Sequence, residues 1–136
     1  MRVLFICTGS INRSASAKVI LLGNNSEGKY EVQACGTGSI APKGCKIPKK
    51  MRTVLEEMGY DPWQHRSQGI SEELLQWADT VVVMGNVHEK FIAKHYPQHL
   101  SKVENWKVKD PHFAKGSEMH RRVAIEIENL VLKRFP

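Results

Sequence analysis

The sequence predicts a three-layer α/β protein, a parallel β-sheet with helices on both faces. Three observations carry that expectation. Short apolar runs recur along the chain, helix-length amphipathic segments separate them, and Gly, Asn and Pro punctuate the joins. At 136 residues the chain has core enough for one domain spanning residues 1–136.

Val3-Leu4-Phe5-Ile6 is continuous and apolar, as a strand buried on both faces should be. A Thr8-Gly9-Ser10 turn follows Cys7, and a helix is predicted from Arg13 to about Leu22, stopped by Gly23-Asn24-Asn25. Tyr30 to Cys35 reads as the second strand, broken by Gly36-Thr37-Gly38. Residues 38–50, rich in Gly, Pro and Lys, form the one long loop expected. Pro48 opens a helix through Met51, Val54, Leu55 and Met58, closed by Gly59. Ser71-Glu72-Glu73 starts a short helix to about Trp77, whose ring is assigned to the core. Thr80 to Met84 is the clearest strand, rich in β-branched residues. Asn86 is expected to cap a helix through Phe91 and Ile92, and a weaker strand covers Val103 to Val108. Ser117 caps the last helix, which turns Val123, Ile127 and Leu130 inward.

Composition narrows the function classes. Hydrophobic residues at 41% and charged residues at 25% exclude wholesale disorder. No apolar run approaches membrane-spanning length, and the N-terminal run lacks a signal peptide's cleavage site, so a cytoplasmic protein without membrane contact is expected. Three cysteines cannot all pair, which favours reduced thiols. A net charge of +6 favours anionic partners, whether nucleic acid, phosphoprotein or phosphate ester.

The chemistry concentrates where the first strand ends. In open α/β sheets ligands sit beyond the carboxyl ends of the strands. Cys7-Thr8-Gly9-Ser10-Ile11-Asn12-Arg13-Ser14 occupies such an end, between a strand and a helix. The amides of a tight glycine-containing loop can converge on one point, backed by the positive end of the helix dipole, and make an anion cradle of phosphate size. Arg13 returns to that point and can grip two oxygens with its planar fork. The donors that hold phosphate also favour a thiolate at Cys7, Ser14 can donate to that sulfur, and the thiolate can attack phosphorus. The Cys-to-Arg spacing alone is a weak signal. The glycine within it, the serine after the arginine and the strand-to-helix placement make it specific. Asp110-Pro111, in a polar loop before the last helix, reads either as a carboxylic acid for the leaving group or simply as a turn.

These residues resemble a known family. The run from Val3 to Ser14 looks like the opening of the low-molecular-weight protein tyrosine phosphatases, and Asp110-Pro111-His112-Phe113 falls at the family's Asp-Pro-aromatic loop. Ala34-Cys35-Gly36-Thr37, His65-Arg66-Ser67 and Val81-Val82-Val83-Met84 match further landmarks in order. The resemblance implies a four-stranded parallel sheet flanked by helices. It implies Cys7 as nucleophile, Arg13 with the amides of Thr8, Gly9, Ser10, Ile11, Asn12 and Ser14 as phosphate binders, and Ser14 as thiolate stabiliser. Asp110 is implied as general acid then base, His65 as loop support, and no metal or organic cofactor is used.

The chain departs from the family at four places. Ser10 stands where an Asn usually braces the loop, and Ala34 replaces a Ser of the same network, so part of the His65 network is expected to be missing. Asn12 replaces a second Cys that can protect the nucleophile, and Gly85 sits where an Asp commonly follows the third strand. Within the resemblance Ile11 goes with phosphotyrosine where Thr goes with phosphoarginine, and His112 and Phe113 would wall an aryl ring. The expected substrate is thus a phosphotyrosine protein or small aryl phosphate, handled by a monomer without nucleic acid. Lys43, Lys46, Lys49 and Lys50 either attract acidic substrate surfaces or form a solvated loop.

Two rivals remain on the residues. An arsenate reductase-like thiol enzyme needs further cysteines after the third strand, and residues 79–110 hold none. A non-catalytic phosphoprotein or nucleic-acid binder needs neither Cys7 nor Asp110. His88, His95 and His99 fit no standard metal spacing and read as surface histidines. Cys35 reads as a buried hydrophobe and Cys45 as a loop thiol.

Overall fold

The computed structural model describes all of residues 1–136. Four strands, β1 (Arg2–Cys7), β2 (Glu31–Gly36), β3 (Thr80–Val83) and β4 (Val103–Asn105), form one parallel sheet in the order β2-β1-β3-β4. Five helices connect and follow them: α1 (Arg13–Gly23), α2 (Lys49–Glu57), α3 (Glu72–Trp77), α4 (Asn86–His95) and α5 (Glu118–Arg134). Parallel pairing obliges each strand to be followed by a crossover, and these crossovers cover both faces.

Alternation along β1 divides the core. Val3, Phe5 and Cys7 face a large cluster with α1, α2 and α5, whereas Leu4 and Ile6 face a smaller one with Leu75 of α3 and Ile92 of α4. Trp106 and Phe135 pack on Phe5 at ring-centroid distances of 5.6 and 6.1 Å, tying the chain's end to the central strand. The chain adds β2 on one side of β1 and then moves to β3 on the other. That reversal leaves a crevice at the carboxyl end of β1, where an open α/β sheet binds its ligand.

Several expectations are corrected in detail. The last strand stops at Asn105 because Lys107 adopts a left-handed backbone (φ 54°), which an extended ladder cannot hold. The expected loop at residues 38–50 is pinned down. It contains a 3₁₀ turn (Ala41–Lys43), buries Ala41 and Ile47, and gives its last two residues to α2. Gly85, not Asn86, is the cap position of α4, and Ser117 stands at the start of α5 without a side-chain capping bond. Ser71 does cap α3, accepting the Leu74 amide at 3.1 Å. Trp77 is half-buried against the smaller cluster, with the Arg2 guanidinium 5.9 Å from its ring centre. No helix is long and apolar enough to cross a membrane.

Candidate active site

The loop after β1 is held from beneath by backbone. Thr37 and Gly38 amides donate to the Cys7 and Thr8 carbonyls at 3.0 and 2.9 Å. Gly36 is required there, because a Cβ on it would collide with the Thr8 carbonyl and come within 2.8 Å of the Ala41 side chain. Ser10, fully buried, takes a left-handed conformation (φ 59°) that costs a non-glycine residue about 1 kcal/mol. His65 offsets that strain: its Nε2 lies 2.6 Å from the Ser10 carbonyl and 3.3 Å from the Ser10 hydroxyl. Burial, with Lys18 nearby, brings the His65 pKa down to about 4, against the pull of the Ser10 carbonyl. The ring is therefore neutral at physiological pH.

None of the protein's own hydrogen bonds uses the backbone amides of residues 8–12 as donors. Yet Ser10, Ile11 and Asn12 are buried. Buried amides without partners are rare, and a run of them at a helix start is an anion site.

Three side chains complete the floor. Cys7 Sγ, almost wholly buried, lies 3.0 Å from the Ser14 hydroxyl, which also reaches the Cys35 carbonyl at 3.4 Å. Arg13 is buried with one guanidinium nitrogen donating to the Val108 carbonyl at 3.0 Å and another 3.5 Å from Asp110. Asp110 is half-exposed and accepts the His112 amide at 3.0 Å, the turn that Asp-Pro suggested. The acid and the guanidinium thus pair on the lining of a cavity of about 190 Å³. Cys7, Thr8, Gly9, Ile11, Asn12, Arg13, Asp110, His112 and Phe113 all line it, while Ser10, Ser14 and His65 stand behind. Phe113 is 92% exposed, so its ring borders the mouth rather than packing into it.

Two cavity-side residues were missed from sequence. Ile40 lines the cavity and packs beside Ile11 over Gly9. His88 was assigned to the surface but is fully buried, its Nε2 2.9 Å from the Thr8 hydroxyl. The available signal was position: residues just beyond the end of β3 border the same edge as the loop after β1. His99 is also buried, 2.7 Å from Glu72, and only His95 fits the surface reading. No group of three metal-ligating side chains gathers anywhere.

Comparison with known proteins decides the family. The model of the low molecular weight phosphotyrosine protein phosphatases matches residues 2–135. The chain belongs to this family. A protein-arginine-phosphatase of Geobacillus stearothermophilus is 29% identical over 96% of this chain and 90% of its own. The solved low molecular weight protein tyrosine phosphatase of T. tengcongensis is 31% identical, covers 98% of this chain and 97% of its own, and superposes with a TM-score of 0.86. A solved arginine phosphatase in which serine replaces cysteine carries phosphate on that active-site serine; it is 26% identical over 96% of this chain and 91% of its own, with a TM-score of 0.86. Cys7 therefore stands in the phosphate-loop position of a phosphatase family, and the chain is a hydrolase of that family.

The departures from the phosphatase pattern now have locations. His65 Nδ1 is buried without a partner, which fits a support network that has lost members. Asn12 points its amide at His112 Nδ1 (3.4 Å), so it ties the Asp110 loop to the phosphate loop where a second thiol is absent. Gly85 leaves Arg13 a single carboxylate partner, Asp110.

Proposed function

We propose that the chain hydrolyses phosphotyrosine and small aryl phosphates through a cysteinyl-phosphate. The carrying observation is the set of unpartnered amides at residues 8–12 around a buried Cys7 Sγ, with Arg13 and Asp110 opposite. Phosphate oxygens take those amides and the Arg13 fork, which puts phosphorus above the sulfur. The Cys7 thiolate attacks phosphorus, the bond to the leaving oxygen breaks, and the Asp110 carboxyl protonates that oxygen. Water then attacks phosphorus as Asp110 takes its proton. The sulfur–phosphorus bond breaks, releasing inorganic phosphate and the thiolate, to which the Ser14 hydroxyl at 3.0 Å donates. The phosphoserine of the arginine-phosphatase relative supports a covalent step at this position.

Aryl preference rests on the rim. Ile11 and Ile40 present hydrocarbon to the group beyond the phosphate, which suits an aryl ring better than the polar guanidine of a phosphoarginine. A reductase relay is disfavoured because Cys35 is buried, with its thiol pushed well up by burial and secondarily by the Cys7 charge. Three unpaired thiols support a reducing, cytoplasmic setting.

Wild type should turn over p-nitrophenyl phosphate and phosphotyrosyl peptides, and Cys7→Ser should not. Equal rates in the two would overturn the covalent mechanism. Faster hydrolysis of phosphoarginyl than of phosphotyrosyl peptides would overturn the aryl reading, and Ile11→Thr should shift the ratio toward phosphoarginine.

A further inference from the structure

We propose that His88 is a positioning residue of the phosphate site, its ring clamping the Thr8 hydroxyl and bracing the wall behind Arg13. The proposal deepens the phosphatase reading and rests on that site. Thr8 begins the anion loop and lines the cavity. It is held twice, its carbonyl by the Gly38 amide at 2.9 Å and its hydroxyl by His88 Nε2 at 2.9 Å. The first grip comes from the β2 side of the sheet and the second from the β3 side, so the loop is pinned from both flanks of β1.

The ring is fully buried and its Nδ1 makes no well-formed hydrogen bond. An apolar side chain would fill a purely structural site without that cost. Gly85 lies between the two: a Cβ there would touch both, 3.5 Å from Nδ1 and 3.8 Å from an Arg13 terminal nitrogen. Ring and guanidinium therefore share one small space. Burial and then the Arg13 charge keep the imidazole uncharged near neutral pH, opposed by Asp110 and the Gly85 carbonyl. An uncharged brace fixes the geometry of Thr8 and leaves Arg13's positive charge for the substrate.

The test is a double-mutant cycle on His88 and Thr8, reading inorganic-phosphate affinity by calorimetry, kcat/KM on p-nitrophenyl phosphate, and Tm. His88→Ala and Thr8→Val should each weaken phosphate binding about tenfold, the size of one lost positioning hydrogen bond. The double variant should be no worse than either single one, because both remove the same contact. His88→Gln, whose amide nitrogen can reach the place of Nε2 and still bond Thr8, should recover most of the affinity, which a merely space-filling role does not predict. Losses that multiply in the double variant, or a lowered Tm with phosphate affinity unchanged, would overturn the clamp. Should wild type bind phosphate without turning over the ester, the phosphatase reading fails while the calorimetric cycle still decides the clamp.

Discussion

The two halves of the site are built to different standards. The phosphate loop is clamped from all sides, by Thr37 and Gly38 amides beneath, His65 under Ser10 and His88 at Thr8, and residues 10–14 are buried throughout. The Asp110 loop is half-exposed. It holds itself with its own turns, His112 to Asp110 and Ala114 to Pro111. Its outside ties are three: the Arg13–Asp110 pair at 3.5 Å, the long Asn12–His112 contact, and the Lys50 ammonium on the Ala114 carbonyl at 3.1 Å. The contrast follows from the work each half does. Binding an oxyanion with backbone dipoles is effective only if those dipoles need not reorganise, so the cradle is fixed in advance. In the proposed mechanism Asp110 protonates a leaving group and then admits water, and a lightly tied loop leaves space for both.

The comparison breaks most sharply at glycine. Gly36→Ala drives a Cβ into the Thr8 carbonyl, backbone against backbone, with no flexible side chain to yield. We expect a loss of about 2–4 kcal/mol in denaturant unfolding, together with loss of phosphate binding. Gly116→Ala on the acid-loop side also meets a positive φ (69°) but nothing within 4 Å, so only backbone strain of about 1 kcal/mol is expected, with phosphate affinity intact. Equal costs at the two positions would erase the distinction.

Side chains of the two halves should separate kinetically. Arg13→Lys keeps a charge but loses the planar fork, and should weaken phosphate or vanadate inhibition about a hundredfold. Asp110→Asn should leave phosphate inhibition nearly unchanged and lower kcat about a hundredfold or more, most for esters with poor leaving groups. An Asp110→Asn variant with normal kcat would remove the general acid from the mechanism.

How much of this was legible in the sequence follows the same division. Strand β1 and the run from Cys7 to Ser14 were readable because strand, glycine turn and helix start are local, and their residues stay adjacent in space. Asp110 was readable only as a turn until the family's order of landmarks supplied its context, since its meeting with Arg13 spans the whole sheet. His88 and Ile40 were missed for a related reason. Nothing local tells a buried histidine at a helix start from an exposed one; that depends on β3 lying beside β1. Ile40 sat in a stretch whose lysines suggested solvent, and only the fold places it over Gly9.

Acid should undo the clamped half first. His65 and His88 have pKa values of about 4 in the folded protein, against 6.5 for an unperturbed histidine. Between those values the unfolded chain binds protons that the folded chain refuses. Stability is thus fully present above pH 6.5 and drains as pH falls toward 4, with a slope approaching about 1.4 kcal/mol per pH unit for each ring. Denaturant midpoints measured from pH 7 to pH 4 should fall accordingly, and His65→Gln should flatten the curve. An unchanged slope in that variant would mean that His65 does not carry the proton linkage.

The smallest effect expected lies on the lightest tie. Lys50, at the start of α2, donates to the Ala114 carbonyl and so links the acid loop to that helix. Its ammonium is exposed, so the bond competes with water and should contribute only a few tenths of a kcal/mol. Lys50→Met keeps the stem and removes the donor. It should lower kcat about two- to threefold, leave phosphate inhibition unchanged and barely move the Tm, because the loop's own turns survive. A Lys50→Met variant that instead weakened phosphate inhibition would show that the two halves are mechanically joined, and that the acid loop helps to hold the cradle it faces.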